Sequence, residues 1–338
     1  MDRESIKLCA SEMSSLWTQY MFDTMSICFI KYALEHIEDR DIIDVYEKAL
    51  KYSEGHVKAI EDFFKGEEYP IPHGFTEKDY DPKAPRLFQD TFYLYYMYIM
   101  TLQGLTGYSL SLSTSIRSDL RKYYIRCNQE TTNLFELTLD TLLTKGLFTR
   151  PPILTPPIKS DFVKEQSFLT GWFGERRPLT AIEVGDITFN MNKMNLHVAL
   201  KVGFCQVAKS RKVRQYINRG MEISNKHIEV FDTIFREEKL ISPISWQSLV
   251  TNSTTSPFSD KFLMYQVQLS TQIAIAFYGT ALSVTSRRDI GKHYVTLTGE
   301  LLKFAEDGAN LMIEKGWLEQ PPLSSDRRTL SKGKDAPY

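Results

Sequence analysis

Two histidines of this chain stand in matched settings, Ser53-x-x-His56 and Ser224-x-x-His227. Further on, Cys127-x-x-Glu130 and Leu297-x-x-Glu300 fall at comparable depth in two later helical segments. Imidazole and carboxylate together can share a proton or hold a metal ion. A dinuclear metal centre inside a four-helix bundle needs one Glu from each of two helices and a Glu-x-x-His from each of the other two, the spacing of three placing both donors on one helix face. No Glu-x-x-His occurs anywhere in the chain. Counting from the helix ends, His56 lies level with Glu130 and His227 with Glu300, so each half offers one imidazole and one carboxylate. Two donors fall short of what a metal takes, and Gln103 and Gln272 are poor additions. The expectation is therefore that no metal or other cofactor is held. On that reading each pair is a hydrogen-bonded couple, since a buried charge needs a partner, or lies exposed on a helix flank. The alternative is a residual site for a small ligand or for iron, manganese or zinc, with His56, Glu130, His227 and Glu300 as the candidate ligands.

Other chemistry is not signalled. The remaining histidines, His36, His73, His197 and His293, are scattered, and no cysteine stands in a nucleophile setting. There is no glycine-rich phosphate loop and no Gly-x-Ser-x-Gly elbow. No catalytic residue is expected. Cys9, Cys28, Cys127 and Cys205 form no Cys-x-x-Cys pair and read as buried thiols behaving like small hydrophobes, which suits a reducing compartment. The start of the chain carries no apolar signal core, so a cytoplasmic protein is expected. With 41 basic and 42 acidic residues the net charge is −1, which gives no support for a nucleic-acid partner.

The elements that must position these residues come in two sets, because the chain matches itself. Gly146-Leu147-Phe148-Thr149-Arg150-Pro151-Pro152 answers Gly316-Trp317-Leu318-Glu319-Gln320-Pro321-Pro322. Tyr108, Ser113, Arg117, Asp119, Tyr124 and Glu130 answer Tyr278, Ser283, Arg287, Asp289, Tyr294 and Glu300. Phe88-x-Asp90-x-Phe92 answers Phe258-x-Asp260-x-Phe262, and Phe64 answers Phe235. The order never changes, so a repeat is written twice along 338 residues.

Apolar periodicity predicts four helices per copy: about 11–37, 41–64, 87–115 and 118–145, then 180–208, 211–237, 259–285 and 288–315. Gly146 and Gly316 suit left-handed helix ends, with Pro pairs beyond. Ser118 and Asp119 suit an N-cap. Helices one and two, and three and four, are joined by short links and must be antiparallel neighbours. Helices two and three are joined by about twenty residues, among them Tyr69-Pro-Ile-Pro-His-Gly. Such a strap can reach about 65 Å, beyond the roughly 37 Å of a 25-residue helix, so the two helices can run parallel. The predicted fold is all-α: a tandem duplication of a ferritin-like four-helix bundle with a long crossover between helices 2 and 3.

The expected divisions are 1–158 for the first bundle, 159–178 for a docked linker holding Phe162, Phe168, Leu169, Trp172 and Phe173, 179–323 for the second bundle, and 324–338 for a flexible basic tail with Arg327, Arg328, Lys332 and Lys334. Helix three is uncharged in both copies, over 91–116 and 262–286. Its Gln, Thr and Ser content argues against a membrane span. Burial on more than one side is implied instead, so a bundle–bundle or oligomer contact through this helix is expected, eased by Gly104, Gly107, Ser111, Ala274, Ala276 and Gly279. The aromatic run from Phe92 to Tyr98 reads as core, or as the wall of a pocket for a flat apolar ligand.

The repeated Gly-x-x-x-x-Pro-Pro helix end, the Phe-x-Asp-x-Phe start of helix three and the tandem layout resemble the family called domain of unknown function 3231. The resemblance covers about residues 10–323. It implies a ferritin-like fold, kinship with spore-coat F proteins of spore-forming Gram-positive bacteria and a link to sporulation, and it supplies no catalytic residues. The function expected is a non-enzymatic helical scaffold or interaction protein with an unidentified protein partner or self-association. A small apolar-ligand module and a degenerate metal-binding oxidoreductase are the alternatives.

Overall fold

A computed structural model describes residues 6–172 and 176–331. The first half holds α1 (Ala10–Leu34), α2 (Arg40–Gly66), α3 (Asp90–Ser113) and α4 (Ser118–Thr144). The second holds α5 (Ala181–Val207), α6 (Arg211–Glu237), α7 (Asp260–Val284) and α8 (Arg288–Glu314). A short α9 (Arg327–Ser331) lies near the end. Among the described residues β pairing is confined to two isolated bridges, so the chain is all-helical in two repeated halves.

Several helices begin or end for a local reason. Thr180 and Glu183 form a capping box at α5, with the Glu183 carboxylate accepting from Thr180 N at 2.9 Å. At α1, Glu12 accepts from Cys9 N at 2.9 Å in the same way. Gly146 and Gly316 take φ of 66° and 67°, the left-handed turn that lets α4 and α8 stop. The start of α4 differs from expectation, since Arg117 is its N-cap and Ser118 is already helical. The free amides there are met from across the bundle, where Glu12 accepts from Ile116 N and Arg117 N at 2.8 Å each.

That contact also sets the topology. The start of α1 touches the α3–α4 turn, while Asp90 at the start of α3 accepts from Glu38 N and Asp39 N in the α1–α2 turn. Helices α1 and α3 therefore run antiparallel, and α2 and α3 run parallel, linked by the strap 67–89. The second half repeats the device: Glu183 accepts from Arg287 N, and Asp260 from Lys209 N and Ser210 N. The Phe-x-Asp-x-Phe motif is thereby explained. Its Asp caps the neighbouring helix, and its two rings stack, Phe88 on Phe92 at 4.0 Å and Phe258 on Phe262 at 4.2 Å.

The halves meet through their straps. Tyr80 bridges Phe258 and Phe88 bridges Val250, and 80 and 250, like 88 and 258, are 170 residues apart. The backbone bonds obey the same rule: Asp81 N donates to Pro257 O at 2.8 Å and Thr251 N to Leu87 O at 2.9 Å. The junction is thus isologous, with each half presenting the same surface to the other. Rings fill it in the same pairs. Trp246 stacks on Tyr95 at 4.1 Å, and Phe75 meets Tyr265 at 5.0 Å. One continuous apolar cluster runs from Met21 to Leu142 in the first half into Leu196 to Met312 in the second.

Helix α3 joins this shared core with its first turns only, where Phe92 to Met97 are all buried. The small residues expected to admit the other bundle do not lie there. Gly107 and Gly279 face open space, Ala276 is exposed, and Gly104 lies against Thr131 of its own half. The later turns of α3 carry Ser, Thr and Gly at half-exposed positions, away from the other half. The linker is also only partly packed. Phe162 is 91% exposed, whereas Gly171 sits against Asp289 and Arg177 lies over Phe168 at 4.1 Å. Phe173, Lys332 and Lys334 fall outside the described residues. None of the helices among the described residues is long and apolar enough to cross a membrane.

Candidate functional site

In the first half, all four helices bring polar groups to one buried point. His56 on α2 is 3% exposed. Its Nε2 lies 2.7 Å from Glu130 Oε2 on α4, and its Nδ1 lies 3.4 Å from Asp23 Oδ2 on α1. Tyr108 on α3 places its hydroxyl 3.5 Å from Nδ1. Gln19 donates to Asp23 at 3.1 Å and points its Nε2 at Cys127 Sγ, 3.9 Å away. Burial opposes a charge on this imidazole, but Asp23, Cys127 and Glu130 outweigh it and push the His56 pKa up to about 12. The ring is then an imidazolium donating on both sides. A cavity of about 100 Å³ adjoins it, lined by Asp23, Ser53, Tyr108 and Thr131 among others.

The second half sets its histidine differently. His227 Nε2 donates to Glu300 Oε2 at 3.1 Å, and Nδ1 accepts from the Tyr278 hydroxyl at 3.1 Å. Glu300 finds its charge partner in Lys226, 3.0 Å away. Burial lowers the His227 pKa to about 4, with Glu300 opposing and Lys201 and Lys226 reinforcing the fall. Met194 and Leu297 occupy the positions corresponding to Asp23 and Cys127, so the acid and the thiol have no counterpart. Basic groups stand on α5 instead. Lys201 Nζ donates to Ser224 at 2.8 Å, Lys193 Nζ sits over the Phe277 and Phe189 rings, and His197 is 1% exposed. Lys193 Nζ and His197 Nε2 have no hydrogen-bond partner. Burial lowers the Lys193 pKa to about 5 and that of Lys201 to about 7.

Each half thus places its His and Glu candidates in contact, while Gln103 and Gln272 join neither centre. The residues that helix counting missed are Asp23, Cys127 and Tyr108 around His56, and Lys193, His197 and Lys201 on α5. One signal for Asp23 was present, because it is the sole charged residue between Glu12 and Lys31. Neither half fits a dinuclear carboxylate centre, since among the described residues each gathers at most two carboxylates at its histidine. In the first half, and nowhere else among the described residues, one donor atom from each of three such side chains, His56, Cys127 and Glu130, lie within 4.8 Å of one another.

The other repeated residues build the frame. Arg117 pairs with Asp119 at 2.7 Å and with Glu67, and Arg287 pairs with Asp289 at 2.9 Å and Glu238 at 2.8 Å. These locks close the end of each bundle opposite the Asp90 and Asp260 caps.

No curated protein matches the chain. Among solved structures, a candidate spore-coat protein from Bacillus halodurans C-125 is similar at 15% identity, with a TM-score of 0.41, over 44% of this chain and 98% of that one. The family of proteins of unknown function DUF3231 matches twice, over residues 1–159 and 167–330, and the chain belongs to that family as a two-repeat member.

Proposed function

We propose that the protein is a non-enzymatic helical scaffold that presents surfaces to a partner, with 1–158 and 179–323 as its two bundles. The observation that supports this best is the strap junction, which joins both halves in one apolar cluster. A chain whose halves share a core moves as a unit and can hold two faces at a set separation. The repeated residues outside the histidine centres serve that frame as caps, ring stacks and ion locks. The histidine centres themselves have diverged so far, acidic in one half and basic in the other, that no common reaction joins them. The cavity beside His56 holds about three waters at roughly 30 Å³ each. That is far below the roughly 300 Å³ of a small-molecule pocket, which weighs against an apolar ligand seated in the bundle core beside His56.

Matching positions on the outer faces of α4 and α8 keep an exposed aliphatic residue, Ile125 and Val295, both 57% exposed. These are points where a protein partner would find apolar grip. Association with the spore accords with the kinship that the family resemblance implies. The test is complementation in a strain lacking the protein. His56→Gln with His227→Gln should restore function once folding is verified by circular dichroism, whereas Phe258→Ala with Phe88→Ala, which opens the junction, should not. A folded double-histidine variant that fails to complement would mean that chemistry at those rings matters, and the scaffold reading would fall.

A further inference from the structure

We infer that the first half, and only the first half, carries a mononuclear site for a borderline divalent cation of the zinc class, with His56, Cys127 and Glu130 as ligands and Asp23 as the group that orients the imidazole. The donor set is the first ground. An imidazole nitrogen, a thiol sulfur and a carboxylate oxygen within 4.8 Å of one another suit zinc or cobalt rather than magnesium or calcium, which take oxygen ligands. Metal–ligand bonds of about 2.0–2.3 Å place tetrahedral donors about 3.3–3.7 Å apart. The His56–Glu130 contact of 2.7 Å must therefore open by roughly half an ångström, within the reach of a glutamate side chain.

The second ground is the surrounding shell. A ligating histidine commonly gives its other ring N–H to a carboxylate, which fixes the ring and strengthens the ligand. Asp23 stands at the far nitrogen of His56, at 3.4 Å. Gln19 is 6% exposed, and its Oε1 has no hydrogen-bond partner. Its amide lies beside both Asp23 and Cys127, so an uncompensated acceptor already borders the site.

The proton His56 shares with Glu130 is the smallest cation this cluster can hold, and a divalent ion would take its place. Metal ligands bind deprotonated, so any protons on the ligating nitrogen and sulfur pass to solvent as the metal–nitrogen, metal–sulfur and metal–oxygen bonds form, without any change of oxidation state. Met194 and Leu297 remove the corresponding acid and thiol from the second half, and Lys201 adds positive charge nearby. One ion per chain is the consequence.

The experiment titrates Co²⁺ and then Zn²⁺ into the full chain after chelator treatment. The expected result is one Co²⁺ per chain, with a near-ultraviolet thiolate-to-cobalt charge-transfer band that Zn²⁺ abolishes. Cys127→Ser should remove the band, Glu130→Gln and Asp23→Asn should each weaken binding by about 10- to 100-fold, and His227→Gln should change nothing. Glu130 lies partly at the surface, so its substitution tests the site even if Cys127→Ser fails to fold. Absence of a charge-transfer band, a band that survives Cys127→Ser, or an affinity indifferent to Glu130→Gln would each overturn the assignment.

Discussion

His56 and His227 occupy the same place in two copies of one frame and live in opposite surroundings. His56 faces carboxylates through both ring nitrogens. His227 gives one N–H to Glu300 and accepts from Tyr278, with Lys201 and Lys193 on the neighbouring helix. A single helix accounts for most of the change. Where α1 offers Asp23, α5 offers Met194, and where α1 is apolar at Phe22 and Ile30, α5 carries Lys193 and Lys201. Meanwhile the caps at Glu12 and Glu183, the locks at Arg117 and Arg287 and the strap bridges are kept. Residues that close the frame are held by several partners at once, so losing one strands the others. Residues at the centre answer to one or two neighbours and can change polarity together.

The comparison can be broken first at the locks. Arg287 is fully buried between Asp289 and Glu238, so Arg287→Met should cost about 3–5 kcal/mol by stripping Glu238 of its ion pair and leaving Asp289 only Arg176 at 4.0 Å. Arg117→Met, at a site with some solvent access, should cost about 1.5–3 kcal/mol. Urea unfolding measures both, and a larger loss at Arg117 would reverse the ranking.

The centres should respond with opposite signs. Asp23→Asn weakens the field around a buried imidazolium and should cost about 1.5–3 kcal/mol. Lys193→Met should instead stabilise by about 2–4 kcal/mol at neutral pH. The sign follows from the lowered pKa: the folded amine stays neutral down to about 5, while the unfolded lysine takes a proton below about 10.5. The advantage of methionine should therefore grow as pH falls from about 10.5 toward 5 and vanish above that window. An advantage independent of pH would show that Lys193 is charged in the fold.

Met194→Asp sharpens the contrast by giving the second half the acid it lacks. Its carboxylate should raise the His227 pKa from about 4 by about two units, read by imidazole NMR. An unmoved His227 would mean that position 194 is not the counterpart of Asp23. The smallest effects should be shared by both halves. Gly107→Ala and Gly279→Ala meet nothing within 4 Å and should each stabilise by about 0.5–1 kcal/mol. Gly220→Ala, whose new methyl would lie 2.4 Å from Phe304, should be destabilising. Differential scanning calorimetry checks all three.

Much of the frame was legible in the sequence, because caps and helix ends depend on local chemistry. Gly146 and Gly316 and the Pro pairs beyond them mark the helix ends in both copies. The level pairing of His56 with Glu130 could be counted from helix ends. Asp23 could not be placed so simply. α1 is apolar nearly all round, so its pattern does not say which face meets α2. The buried lysines were hidden for the same reason, since a charge on a helix is ordinarily solvated and Lys193 and Lys201 are not. The strap pairing left no trace, because four backbone amides and two isolated bridges need no alternating pattern. The small residues of α3 and α7 do not mark the junction between the halves, since Gly107 and Gly279 meet nothing within 4 Å there.

The divergence of the two centres is tested most directly by an NMR titration of the native chain labelled at histidine and lysine, followed at His227, Lys193 and Lys201. Midpoints near 4, 5 and 7 are expected, so that at neutral pH His227 and Lys193 are uncharged inside the second half. Midpoints at the ordinary 6.5 for the imidazole and 10.5 for the amines would show a solvated centre and contradict the account.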